Sequence, residues 1–113
     1  MQKRADGSAG GSTGGREGGA AGTGADRERR VLVAIGRQIR VQRERRGIPQ
    51  ERFAAHAGID RSYYGAVERG RYSVTALNLV KIALALEVEV GDLFPPREQL
   101  EELLAGEAPE DAA

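Results

Sequence analysis

Apolar side chains recur along this chain at intervals of three and four residues and never in sustained alternation, so the pattern predicts helices and no strands. From Asp26 to Arg46, Leu32, Ile35 and Ile39 define one face, with arginines between them. Asp26 is placed to cap this helix and Gly47 to stop it. Gln50–Ala57 reads as a short second helix with Phe53, Ala54 and Ala57 inward, ended by Gly58. Asp60 caps a third, Arg61–Arg69, which Gly70 closes, and Thr75 caps a fourth that runs to Leu86. Val88, Val90, Leu93 and Phe94 then carry the apolar pattern through a short fifth turn, stopped by Pro95 and Pro96. Arg97–Leu104 adds an amphipathic turn or two with Leu100, Leu103 and Leu104 aligned, ahead of an acidic end. The expected class is all-α.

Composition divides the chain. Nine of the 16 glycines fall within Gly7–Gly24, interleaved with Ala, Ser and Thr, a mixture that cannot bury enough apolar area to offset its ordering entropy. Residues 1–26 therefore read as a disordered Gly-rich tail, residues 27–96 as a single small domain, and residues 97–113 as a short amphipathic helix with an acidic tail. No apolar run approaches the ~18 residues of a membrane span, and the Met1 end has no apolar core of a secretion signal. A cytoplasmic protein is expected. The absence of Cys leaves no disulfide framework and no thiolate metal site. His56, the only histidine, lacks a metal-ligating companion and reads as a surface residue. No Ser, His and Asp set occurs in a context for nucleophilic catalysis, so neither an enzyme nor a cofactor is expected.

Charge changes the picture once it is placed. The formal net charge is zero, from 17 Lys+Arg and 17 Asp+Glu. Residues 27–72, however, hold twelve arginines against five acids, a balance of +7, and residues 73–113 hold two basic residues against nine acids, a balance of −7. Neutrality is thus the sum of two opposed blocks. The basic middle is the footprint of a phosphate-backbone binder.

Within that basic block, Gln50 to Gly70 forms a helix, a tight turn at Gly58, and a second helix from Asp60 or Arg61. Two short helices at a fixed angle need a small residue where they cross, and Ala54 fits. Tyr64 and Val67 supply the second helix with a buried face, while Arg61, Ser62, Gly65 and Ala66 are read as pointing away. This is the arithmetic of a helix-turn-helix whose second helix enters the DNA major groove.

From Leu32 to Phe94 the sequence resembles the lambda/Cro-type (XRE) repressor family. The resemblance rests on I-G-R-Q-I-R-x-x-R-x-x-R-G-I at 35–48, Q-x-x-x-A-x-x-A-G-I at 50–59, S-x-Y-x-x-V-E-R-G at 62–70 and L-V-K-I-A-x-A-L at 79–86. It implies a five-helix, lambda-repressor-like domain. Gln50 corresponds to a phosphate-contacting amide, and Arg61, Ser62, Gly65 and Ala66 occupy base-facing positions. Arg61 is the residue expected to read a base, because bidentate Arg-to-guanine is the commonest specific pairing. Arg69, Arg71 and Tyr72 are expected to contact phosphates, which position the domain without specifying sequence. Glu68 resembles the family's internal partner for an arginine of the first helix, here Arg43. Asp60-Arg61-Ser62-Tyr63 most resembles the small controllers of restriction–modification systems, which adds Tyr63 as a base contact.

Three residues depart from the family pattern. Pro49 stands where Ser or Thr usually caps the second helix, a loss of about 1 kcal/mol. Gln42 fills a normally apolar position and its amide must find partners. Glu87 replaces a glycine where φ > 0 is expected, also at about 1 kcal/mol. The fourth helix is apolar nearly all round: Ala76, Leu79, Ile82, Ala83 and Leu86 are expected to face the motif. Leu77, Val80 and Leu84 form a second stripe, read together with Leu100, Leu103 and Leu104 as a homodimer interface, the alternative being that the C-terminal turn folds back over the stripe. The sequence therefore predicts a regulator, in the simplest case a repressor or autoregulator, that binds double-stranded DNA as a dimer at a near-palindromic site. A restriction controller, an antitoxin-type regulator and a protein-interaction adaptor are the alternatives.

Overall fold

Local signals at the helix ends explain where each element of the computed structural model begins and stops. It describes residues 23–105 as α1 (Thr23–Arg45), α2 (Gln50–Ala57), α3 (Arg61–Glu68), α4 (Ala76–Leu86), a 3-10 turn at Val90–Leu93 and α5 (Arg97–Ala105). Most of the Gly-rich tail and the acidic end lie outside the described residues. Pro49 precedes α2 with φ −65° and makes no side-chain cap, and Gly58 closes α2 at φ 74°. The Asp60 carboxylate accepts from the Tyr63 amide at 3.0 Å and starts α3. Thr75 does the same for α4 through the Asn78 amide at 3.1 Å. In the 3-10 turn, Glu89 and Asp92 cap one another reciprocally.

The start of α1 and the facing of Ala76 differ from the sequence reading. α1 begins at Thr23, so Asp26 lies inside its first turn and is not its cap, and residues 23–26 are helix and not tail. An acidic side chain anywhere in a first turn meets the positive end of the helix dipole, so Asp26 could not fix the start to one residue. Ala76, expected against the motif, is exposed, because α4 starts directly out of the exposed loop that ends at Thr75.

One core joins the helices. Ile35 and Ile39 of α1, Phe53 and Ala54 of α2, Ile59 of the turn, and Tyr64 and Val67 of α3 pack with Ile82, Ala83 and Leu86 of α4 and with Leu93. Phe53 and Tyr64 meet ring to ring, centroids 5.2 Å apart. Leu79, Val74, Val88 and Phe94 pad this cluster from its margin. α5 packs chiefly along α1.

The α1–α3 crossing is set by glycine. A Cβ built on Gly36 would lie 2.4 Å from the Val67 carbonyl oxygen and 2.5 Å from that of Glu68, so α3 ends directly on the α1 backbone. Gly70 repeats the constraint after α3: at φ +72°, its Cβ would lie 2.6 Å from the Val33 Cα. By contrast, Glu87 adopts φ 62° as the left-handed C-cap of α4, with its amide donating to the Ala83 and Leu84 carbonyls. Glu87 makes the bonds a glycine would make and bears the steric cost of its Cβ.

These contacts predict opposite signs for two substitutions. Gly36→Ala is expected to lower stability by about 1–3 kcal/mol or to prevent folding, since rigid backbone occupies the new methyl's space. Glu87→Gly is expected to raise stability by about 1 kcal/mol. Urea unfolding midpoints followed by circular dichroism check both.

Candidate nucleic-acid interface

The α2–turn–α3 unit is tied to α1 by one carboxylate. Glu68, at the C-terminal end of α3, accepts from Arg43 Nε at 2.7 Å and Arg43 Nη2 at 3.1 Å. The Tyr64 hydroxyl donates to the same carboxylate, and Gln50 Nε2 donates at 2.9 Å. Arg43 completes its own set by donating from Nη1 to the Ile48 carbonyl at 2.7 Å, in the loop between α1 and α2. The Arg43 and Glu68 side chains are 9% and 2% exposed. Burial alone would raise the Glu68 carboxyl; hydrogen bonds from Arg43, Tyr64 and Gln50 outweigh it and hold the group below the ordinary carboxylate value. The bond to Glu68 raises Arg43, and burial raises the Tyr64 hydroxyl. The sequence placed Tyr64 on the buried face of α3, which by itself would leave its hydroxyl to an edge or to water. The hydroxyl instead points inward, to Glu68.

This network fixes the amide of Gln50 at the head of α2. One Nε2 hydrogen is used on Glu68, and Gln50 is only half-buried. Its Oε1 would lie 3.3 Å, and Arg69 Nη1 3.4 Å, from a Cβ on Gly65. Gly65 and Ala66, expected to point outward, are therefore buried. The Gln50 and Arg69 side chains occupy the space that the missing Gly65 side chain leaves open.

The exposed residues of the unit gather at the head of α3 and in the loop that follows it. Arg61 and Ser62 are exposed in the first turn, as are Arg69 and Arg71 beyond the helix. Tyr63 is half-buried and stacks on Tyr72, with centroids 5.8 Å apart and planes 13° from parallel. Arg61 Nε lies 3.5 Å from Glu51 Oε2 on α2. The sequence reading missed this neighbour, although Glu51 and Arg61 open the two helices that the Gly58 turn folds together. Gln42, polar at an apolar position, is half-buried and accepts from Arg46 Nη1 at 3.2 Å.

The second stripe of α4 is open: Leu77, Val80 and Leu84 are 63%, 40% and 71% exposed. α5 does not fold back over this stripe as a lid but lies mainly along α1, where Leu100 and Leu103 are half-buried and Leu104 stays exposed. Leu100 and Leu103 thus spend part of their surface within the chain. His56 is exposed. Among the described residues no group of three or more His, Cys, Asp or Glu side chains is placed to hold a metal, and no helix is long and apolar enough to cross a membrane.

α3, held against α2 with Arg61 and Ser62 exposed in its first turn, defines a helix-turn-helix domain. A helix-turn-helix family model matches residues 39–93. A control protein, C.MunI from Mycoplasma sp, is 32% identical over 65 residues, covering 57% of this chain and 88% of that protein. A hypothetical transcription factor from Neisseria meningitidis is 36% identical over 74 residues, covering 65% and 70%. Among solved structures, the restriction–modification controller C.AhdI from Aeromonas hydrophila superposes with TM-score 0.55 at 44% identity, covering 56% of this chain and 96% of that one. The chain belongs to the lambda/Cro-type (XRE) helix-turn-helix family of DNA-binding regulators. The family match begins inside α1 and ends at Leu93, the last residue of the 3-10 turn.

Removing the carboxylate should strand the buried Arg43 charge. Glu68→Gln is expected to cost about 3–5 kcal/mol in chemical unfolding. The pH dependence has a defined sign. A carboxyl held lower in the folded than in the unfolded chain contributes fully above the unfolded value, about 4.3, and loses that contribution as pH falls through the folded value. Stability of the wild type should therefore fall below about pH 4, and Glu68→Gln should flatten that acid limb. Thermal unfolding between neutral and acid pH measures both.

Proposed function

We propose that the chain is a transcription regulator, in the simplest case a repressor or autoregulator, that binds a near-palindromic operator as a homodimer. The observation that carries this reading is the geometry of the α3 head. Arg61 and Ser62 are exposed at the head of α3, Glu68 locks Gln50 at the head of α2, and Arg69, Arg71 and Tyr72 are exposed after α3. Such a surface supplies one base-reading guanidinium and several phosphate contacts. Gly65 lies beneath Gln50 and Arg69 and Ala66 is buried, so base readout rests on Arg61, Ser62 and Tyr63.

Dimer formation is supported by the α4 stripe. Leu77, Val80 and Leu84 form an apolar face left open among the described residues, and a second copy would bury it. Two copies joined there would place two α3 helices on one duplex, with half-site centres about one helical turn (~10 bp) apart. The likeness to C.AhdI and the Asp60-Arg61-Ser62-Tyr63 run favour one narrower reading, a restriction–modification controller. A controller should bind the DNA upstream of its own reading frame, and footprinting that segment tests it.

Selection of bound sites from random duplexes tests the main reading. A palindromic motif is expected, with affinity that falls steeply as salt rises. Arg61→Ala should cost about 1–3 kcal/mol and relax one base position in each half-site. Unchanged selectivity in that variant would remove the base-reading role. For the dimer, Leu84→Asp is expected to give a folded monomer in sedimentation. A wild-type protein that stays strictly monomeric at high micromolar concentration would overturn the dimer.

A further inference from the structure

Glu51 places a negative charge where a phosphate binder should not want one. It is the second residue of α2, next to Gln50, and its carboxylate lies 3.5 Å from Arg61 Nε, with the two side chains 66% and 65% exposed. An ion pair this open contributes little to folding, and as the acid in the first turn of α2 Glu51 also meets the positive end of that helix, a contribution that does not depend on Arg61. We infer that Glu51 is a specificity-determining residue, which holds Arg61 for base reading and keeps it off the phosphates. This rests on the reading of α3 as the groove-facing helix.

The chemistry follows from the shape of the guanidinium. An arginine carries five N–H donors in a planar fork on a flexible stem. Left alone at the head of α3, that fork can turn to any nearby phosphate, a contact that binds every sequence equally. With the Glu51 carboxylate drawn up beside Nε, the fork is biased away from phosphates and the Nη1 and Nη2 edge is left free. That edge fits the O6 and N7 acceptors of guanine. Fixing the fork before binding reduces the ordering cost of the specific contact alone. The same carboxylate repels phosphates, so it weakens binding to all sequences while sharpening the choice among them. Gln50 is fixed by Glu68 and Arg61 is steadied by Glu51, so the adjacent first two residues of α2 would govern backbone registration and base choice respectively.

Sequences selected from random duplexes by the wild type, Glu51→Gln, Arg61→Ala and the double variant test the inference. Glu51→Gln is isosteric and its site is exposed, so the fold should be retained. It is expected to bind a scrambled duplex more tightly than the wild type does. Its preference at the base pair that Arg61→Ala relaxes should fall by about fivefold or more, the lower range of a bidentate contact. In the Arg61→Ala background, Glu51→Gln should change selectivity no further. If Glu51→Gln keeps the wild-type preference, or shifts selectivity as much without Arg61, the inference is overturned while operator binding stands. If the wild type selects no motif, the operator-binding reading falls and this inference falls with it.

Discussion

The Glu68 carboxylate is the point on which the rest of the domain depends. It lies almost out of reach of water, and a bare carboxylate there would be untenable. Arg43, Tyr64 and Gln50 between them supply four donors, from α1, α3 and α2. The pair is thus more than a salt bridge between two helices. It fixes the angle of α3 to α1 and anchors the α1–α2 loop through the Ile48 carbonyl. It also orients the Gln50 amide at the head of α2. Gly36 reinforces this from the other side, since α3 can bring Glu68 to Arg43 only if its last carbonyls rest on α1 backbone. Hydrophobic burial drives collapse without direction; the Glu68 network sets the orientation.

Charge in the folded chain is arranged differently from charge along the sequence. Seven of the twelve arginines of the basic block lie on α1, and the acidic α5 packs along that helix. Arg43 is consumed in the buried network, and Arg40 pairs with Glu44 in the next turn. The helix that carries most of these arginines thus has the acidic α5 alongside it. What remains at the α2–α3 surface is a small set of exposed arginines: Arg52, Arg61, Arg69 and Arg71. The net zero of the chain conceals a local positive surface, and Glu51 offsets part of it beside Arg61.

Much of the fold was legible because its signals are local. Asp60 and Thr75 cap helices through their own side chains, Gly58 takes the left-handed turn, and Pro95-Pro96 ends the apolar run, so each acts within a few residues of its position. The Arg43–Glu68 pair was legible only through the family resemblance, since 25 residues separate its members. The interface was less legible. Gly65 and Ala66 look outward on a helical wheel, yet Gln50 and Arg69 cover that face from α2 and from the end of α3. No helical period reports the side chains of another element.

The sequence by itself determined an all-α chain with its helix ends, an inward face for α1, α2 and α4, and a helix-turn-helix with Arg61 and Ser62 at its outer end. Periodicity and capping are short-range properties, and they survive folding unchanged. Tertiary structure alone decided three further matters. Glu68 gathers donors from three helices, α5 lies along α1 and leaves the Leu77, Val80 and Leu84 stripe open, and Glu51 stands beside Arg61. Each depends on the angle at which one helix crosses another. That angle is set by the close approach at Gly36 and by the buried carboxylate, which act only once the chain has closed.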